Sequence, residues 1–212
     1  MKYLDLVNKT LIELNYKQVS SFSELIKNDH KKIKNILNVL NAEICNSTGW
    51  HFLLRKEELT LPAHTTEIDI PIEGKIASLI AGGQELRFTG EFEKFFSGSK
   101  PSGQYSVFSD KLLLPDFSQD VTLKILYYTS NYAVSDDEQE KPAMETGTDA
   151  TLIPSPFAEP LLVYGTCMRL KGNPQHTRFG YWFNMYKEAL ANMRSKISIN
   201  ADETPSVRLH RQ

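Results

Sequence analysis

The sequence is poor in the residues that build covalent or metal-centred chemistry. Only two cysteines, Cys45 and Cys167, occur in 212 residues, far apart and outside any C-x-x-C pair. That excludes a disulfide framework and a cysteine-based zinc module; each reads as a reduced, buried thiol of a chain that folds in a reducing cytoplasm. The five histidines, His30, His51, His64, His176 and His210, include no H-x-x-x-H pair and no H-E-x-x-H, the spacing that sets two imidazoles on one helix face around a metal. G-x-S-x-G, the P-loop and G-x-G-x-x-G are all missing, which removes local support for an α/β-hydrolase nucleophile or a nucleotide cradle. No apolar run approaches the roughly 20 residues that cross a bilayer. The opening MKYLDLVNKTLIELNY carries Asp5 and Glu13, whereas a signal peptide needs an unbroken apolar stretch. A formal charge of −2 is too small for a protein that wraps DNA by neutralising phosphates.

What is present falls into three regimes. Residues 1–49 are helical in pattern. Leu4, Val7, Leu11 and Leu14 recur at spacings of three and four, and after a break at Asn15-Tyr16 a second stripe follows: Ile33, Ile36, Leu37, Leu40 and Ile44. The opposite face of that second helix, from Glu24 or Asn28 to Asn46, carries Lys31, Lys32, Lys34, Asn38 and Asn41. Asn46-Ser47-Thr48-Gly49 is the stop signal, with Gly49 able to take a positive φ. Residues 50–134 change to period two. Glu57–Leu61 and Glu67–Ile72 alternate around a Pro62-Ala63-His64-Thr65 turn, and Tyr105–Phe108 with Lys111–Leu114 flank Ser109-Asp110 as a tight hairpin. In 121–128, Val121, Leu123, Ile125 and Tyr127 make one apolar strand face. The piece 74–103 is ambiguous: Glu91–Phe96 reads as one helical turn or two, punctuated by Gly82-Gly83.

Residues 135–154 read as a solvated linker loop, charged at Asp136, Asp137, Glu138, Glu140 and Lys141. Helix returns at 155–199. Ser155-Pro156 suggests a cap followed by Pro at the first helical position, Gly172 a stop, and Asn173-Pro174 a second start. The last helix carries Phe179, Trp182, Phe183, Tyr186, Leu190, Met193 and Ile197. Residues 200–212 have no period and read as an extended C-terminal arm. The expected fold is α+β: a small helical bundle built from the N- and C-terminal helix pairs, with a β-rich inserted subdomain. Its expected core contains Leu11, Ile36, Leu40, Tyr164, Trp182, Phe183 and Tyr186.

Few residues suggest chemistry. Glu57 and Glu58 point to opposite faces of a strand and cannot share a site. Cys45 with a distant histidine is a pairing that any chain with both residues permits. His30-Lys31-Lys32-x-Lys34 reads as the wet face of the second helix rather than a nucleic-acid contact. Phe92, Phe95 and Phe96 form either an exposed anchor for a partner or a local core.

The order of motifs resembles the head-to-tail adaptors of short-tailed bacteriophages, the tail tubular protein A-like family. The likeness runs through Leu6-Val7-Asn8-x-x-Leu11, Leu14-x-Tyr16, Val19, Ile36-Leu37-Asn38, Ala42-Glu43-Ile44 and Gly49-Trp50-x-Phe52. It continues in Gly103-x-Tyr105-x-Val107, Leu112-x-Leu114-Pro115 and Leu123-x-Ile125-x-Tyr127-Tyr128, and ends with Leu161-Leu162-x-Tyr164-Gly165 and Tyr186-x-x-Ala189-Leu190. The chain departs from the shorter members in its long 74–103 segment and its acidic linker. The resemblance implies a structural virion protein of the phage neck, with no enzyme activity and no cofactor, made in the host cytoplasm. It implies a homo-oligomeric ring of about twelve copies with closed symmetry. One rim would meet the portal protein and the other a tail nozzle or tail tube protein, with genomic double-stranded DNA passing through the lumen without sequence specificity and no membrane contact. Within that picture the arm residues Arg208, Leu209, His210 and Arg211 are portal-docking candidates, because charge sets register and apolar side chains supply burial. Another neck or tail-completion protein is the alternative reading, and a small tail-associated hydrolase or a DNA-binding accessory factor the remoter ones.

Overall fold

The computed structural model describes residues 1–97 and 101–197. The fold is α+β, and the chain divides into two compact units, Met1–Leu53 with Asn131–Gln212, and Leu54–Ser130.

The first unit is helical. Helix α1 (Tyr3–Glu13) buries Leu6, Val7, Thr10 and Leu11, and α2 (Asn28–Asn46) buries Ile33, Leu37, Leu40 and Ile44 at helical spacing. Helix α3 (Ser155–Ala158) runs without a break through a π-helical segment, Glu159–Tyr164, into α4 (Gly165–Lys171). Pro160 lies inside the π segment, where an i→i+5 pattern accommodates its missing N–H. This helix is buried at Leu161, Leu162, Val163 and Cys167, and α5 (Phe179–Ile197) completes the bundle through Trp182, Ala189 and Met193.

Several local expectations change. Helix α2 ends without a positive φ at Gly49; instead the Ile44 carbonyl accepts from the Ser47 N–H, the Ser47 hydroxyl and the Trp50 indole N–H. Pro154, not Ser155, is the N-cap of α3. Asn173 accepts from the Gln175 N–H in an Asx turn, so α5 begins only at Phe179. Of the expected core, Ile36, Tyr164 and Tyr186 are half-buried. Phe183 is 46 % exposed, because the buried stripe of α5 runs through 182, 189 and 193 and leaves position 183 outside it.

The segment 135–154 is not a solvated linker. It carries strands β9 (Glu140–Lys141) and β10 (Ala150–Thr151), which pair with β8 (Ala133–Val134) just before it in a small antiparallel sheet, numbered after the seven strands of the other unit. Its polar composition hides two anchors on α2. The Asn38 amide donates to the Met144 carbonyl (2.9 Å) and accepts from the Met144 N–H (3.1 Å). The Asn41 amide donates to the Tyr132 carbonyl (3.0 Å) and accepts from the Thr151 hydroxyl (2.7 Å). Asn41, expected on the wet face of α2, is therefore buried, as are Met144 and Ile153.

The second unit is one sheet of seven strands: β1 (Leu54–Leu61), β2 (Glu67–Asp69), β3 (Gly74–Ala81), β4 (Gln84–Phe88), β5 (Gln104–Phe108), β6 (Lys111–Leu113) and β7 (Val121–Thr129), ordered β1-β7-β3-β4-β5-β6-β2. The two edge strands, β1 and β2, are consecutive in the chain and joined only by the turn at 62–66, so the sheet must curl to bring its edges together. Hydrogen bonds from the His64 N–H to the Phe117 carbonyl and from the Leu114 N–H to the Thr66 carbonyl hold that turn. The alternating faces of β7 place Leu123 and Ile125 in the core with Leu61, Leu79, Leu86, Leu112 and Leu114. On the outer face Glu58 lies opposite Lys124 and pairs with it and with Lys56, while Glu57 lies opposite Ile125.

The described residues of the ambiguous 74–103 piece resolve into two hairpin strands and one turn of 3₁₀ helix, Phe92–Phe95. Gly82 and Gly83 both take positive φ, as does the Ser109-Asp110 pair, giving two-residue turns of the kind that match strand twist. Gly74 answers a different need. A Cβ there would stand 2.0 Å from the Tyr128 carbonyl oxygen, a backbone atom of the neighbouring strand. Gly74→Ala is expected to destabilise the protein by about 1–3 kcal/mol, read as a lower urea midpoint; an unchanged midpoint would refute the close approach.

Candidate functional site

Candidate nucleophiles come first. Cys45 and Cys167 are unpaired and buried, and burial pushes both thiols up to about 12. They are protonated at neutral pH, the wrong state for attack or metal ligation. The exposed His64 stands 3.0 Å from Asp116 in a surface turn. Among the described residues no group of three His, Cys, Asp or Glu side chains stands close enough to hold a metal ion, and no helix is long and apolar enough to cross a membrane.

The surfaces that call for explanation are aromatic. In the helical unit they lie on α5. Trp182 is fully buried and fixes the helix through polar contacts. Its indole N–H donates to Glu13 Oε2 (3.0 Å), and the Arg178 guanidinium bonds both the Glu13 carboxylate (2.7 Å) and the Glu13 backbone carbonyl (3.0 Å). His176 stacks on the indole at 5.2 Å. With Trp182 inward, Tyr181 and Phe183 face outward, both nearly half exposed, and Phe179 stacks parallel to Phe183. Tyr181 meets Tyr164 edge to face, their hydroxyls 3.3 Å apart.

In the sheet unit a second cluster is more apolar. Phe88 and Phe96 are each about 60 % exposed, with Phe108 and Val107 less so. Phe92 stacks on Phe108 (4.8 Å) and Phe96 meets it edge-on (5.7 Å), while Phe88 packs against Tyr105. Of the three phenylalanines left open by the sequence, Phe95 is core and Phe96 is surface, with Phe92 between them. Scattered apolar residues on a surface are ordinary, whereas exposed rings in mutual contact, as Phe96 and Phe108 are, are not.

The sequence-derived docking residues Arg208, Leu209, His210 and Arg211 lie outside the described residues. The basic run divides: Lys31 and Lys32 are exposed, whereas His30 is buried. Nothing in the sequence singled out Phe88 and Phe108 as exposed, because each alternates in a strand like a core residue; the register of β4 and β5 decides it. No model of a known protein family matches the chain, and no curated protein sequence matches it.

Proposed function

We propose that this chain is a structural virion protein, a ring-forming head-to-tail adaptor that links a portal to a tail and continues the DNA channel. The supporting observation is a helical unit assembled from the two ends of the chain, with a sheet unit inserted between them and exposed aromatic clusters in each. An assembly protein needs such surfaces, because buried aromatic anchors dominate protein–protein binding. In this reading one cluster contacts a neighbouring copy and the other a neck or tail component, and the arm at 208–211 docks on the portal. The resemblance to tail tubular protein A-like adaptors supplies the expected ring of about twelve copies.

Electron microscopy of the purified chain mixed with the portal of a candidate phage tests this. Closed rings seated on the portal are expected. Phe183→Ser and Phe96→Ser, on exposed positions, are expected to leave folding intact and to weaken ring formation or seating by about tenfold or more, as loss of an aromatic anchor does. A chain that stays monomeric at high concentration and ignores every portal tried would overturn the proposal.

A further inference from the structure

The outer edge of β1 carries backbone groups that the sheet does not use. Strand β1 pairs with β7 along its whole length, from Leu54 opposite Tyr128 to Leu61 opposite Val121. Alternation decides which groups face β7. The Gly82 N–H donates to the Thr122 carbonyl and the Ser130 N–H to the Glu73 carbonyl, so the even-numbered residues of β7 turn their backbone groups toward β3. The odd-numbered ones, from Val121 to Tyr127, serve β1 and engage its residues 61, 59, 57 and 55. The N–H and C=O groups of Lys56, Glu58 and Thr60 therefore point away from the sheet, and among the described residues nothing pairs with them. The turn at 62–66 joins β1 to β2, but these two strands form no ladder with each other. Lys56, Glu57, Glu58 and Thr60 are all exposed.

A bare strand edge is a template for another strand, and charged side chains on it limit which strand it accepts. On β1 the charges select β1 itself. Lys56 and Glu58 lie on the outer face with Lys124, away from Leu59 and Leu61, which face the core. Consider an identical strand laid antiparallel along this edge, with the two-fold axis at Glu57. Lys56 then stands opposite Glu58 of the second copy, and Glu58 opposite Lys56 of the second copy, both as hydrogen-bonded pairs. Moving the axis one residue either way sets Lys56 against Lys56 or Glu58 against Glu58, and like charges directly opposite are destabilising. The favoured register carries one cost, Glu57 facing its own copy across the axis, which keeps the association reversible.

We propose that β1 binds a second copy of this chain edge to edge, joining two sheets into one across an isologous two-fold contact. Such a contact uses the same edge on both copies, so it stops at a dimer. Glu58 keeps Lys124 beside it and gains Lys56 of the second copy. The inference is independent of the adaptor reading: a two-fold pair is not the head-to-tail contact that generates a ring, and this edge is distinct from the aromatic clusters on α5 and on β4 and β5.

The test uses the full-length chain carrying Phe183→Ser and Phe96→Ser, so that ring formation does not intervene. Sedimentation velocity over a concentration series is expected to show a reversible monomer–dimer equilibrium. Amide hydrogen exchange, read residue by residue, is expected to slow at Lys56, Glu58 and Thr60 as concentration rises, while Glu57 and Leu59, already bonded to β7, stay protected throughout. Lys56→Glu sets like charges opposite each other on both sides of the axis and is expected to raise the dissociation constant about tenfold or more. Adding Glu58→Lys restores opposite pairing and is expected to bring it back to within about threefold of the parent. Glu58→Pro removes an N–H that β7 does not use, so the fold is expected to survive and the dimer to be lost. A chain that stays monomeric, a dimer indifferent to Lys56→Glu or to Glu58→Pro, or a dimer in which the amides of residues 56, 58 and 60 exchange as fast as in the monomer would each overturn the inference.

Discussion

Trp182→Ala is expected to lower the stability of the protein by about 3–5 kcal/mol, the range for removing a fully buried large aromatic. The side chain is 0 % exposed. Its loss leaves a cavity between α1 and α5 and removes the indole donor from Glu13, whose carboxylate then depends on Arg178 alone. His176 loses the ring on which it stacks, and with it one tie between the turn at 173–178 and α5. Trp182→Phe separates these effects. It keeps most of the apolar volume and loses the hydrogen bond, so a smaller loss of about 1–2 kcal/mol is expected. Urea unfolding followed by far-ultraviolet circular dichroism, which reports the helices, measures both. A midpoint for the alanine variant within error of the parent would show that α5 is not held through this residue. Phe183→Ala provides the contrast: the neighbouring position is surface, and a change within about 0.5 kcal/mol is expected.

That adjacent aromatics behave so differently shows where reading the sequence runs out. The four amphipathic stripes and the period-two middle were legible because 3.6 and 2.0 are geometric consequences of helix and strand. They placed α1, α2, α5 and β7 within a few residues of where they lie. Periodicity locates the centre of a stripe better than its margin, and Phe183 sits at the margin. The acidic segment misled for another reason. Composition reports how much apolar area a segment can bury, and 135–154 has little, but it is fixed by the Asn38 amide pairing with the Met144 backbone, by the Thr151 hydroxyl donating to Asn41, and by one buried carboxylate. Such bonds join positions more than ninety residues apart in sequence, and no local pattern announces them. The burial of His30 is hidden likewise. It needs the fold of the 16–19 loop against α2 before His30, which in sequence is one of a run of basic residues, becomes a buried ring with an unpaired nitrogen. The exposed rings of the sheet unit depended on strand register, where a shift of one residue exchanges inside for outside.

Asp149→Ala is expected to be as damaging as Trp182→Ala, and to change how stability depends on pH. The Asp149 side chain is 1 % exposed. Its carboxylate accepts from the Glu145 N–H (2.6 Å), the Thr146 N–H (2.8 Å), the Thr146 hydroxyl (2.8 Å) and Lys141 Nζ (3.2 Å), while its backbone carbonyl accepts from the Tyr3 N–H that opens α1. Removing the carboxylate strands two amide donors and leaves Lys141 only its pairing with Glu145 (3.4 Å), and a cost of about 3–5 kcal/mol is expected for breaking a buried charged cluster from one side. Burial alone would raise the pKa of this acid, but the hydrogen bonds and Lys141 more than offset it and hold the carboxyl at about 2, below its ordinary 3.8. A folded-state pKa below the unfolded one means that the folded state keeps the group ionised where the unfolded chain takes up a proton. The stabilisation is therefore complete above about pH 4 and is lost as pH falls from there through 2; the shift corresponds to about 2 kcal/mol. Asp149→Asn keeps the shape and abolishes this titration. Between pH 5 and 2.5 the parent is expected to lose stability more steeply than the asparagine variant, with the two curves converging at the acid end. Parallel curves would mean that Asp149 titrates alike in the folded and unfolded chain, and that the segment 135–154 is anchored by Asn38 and Asn41 without it.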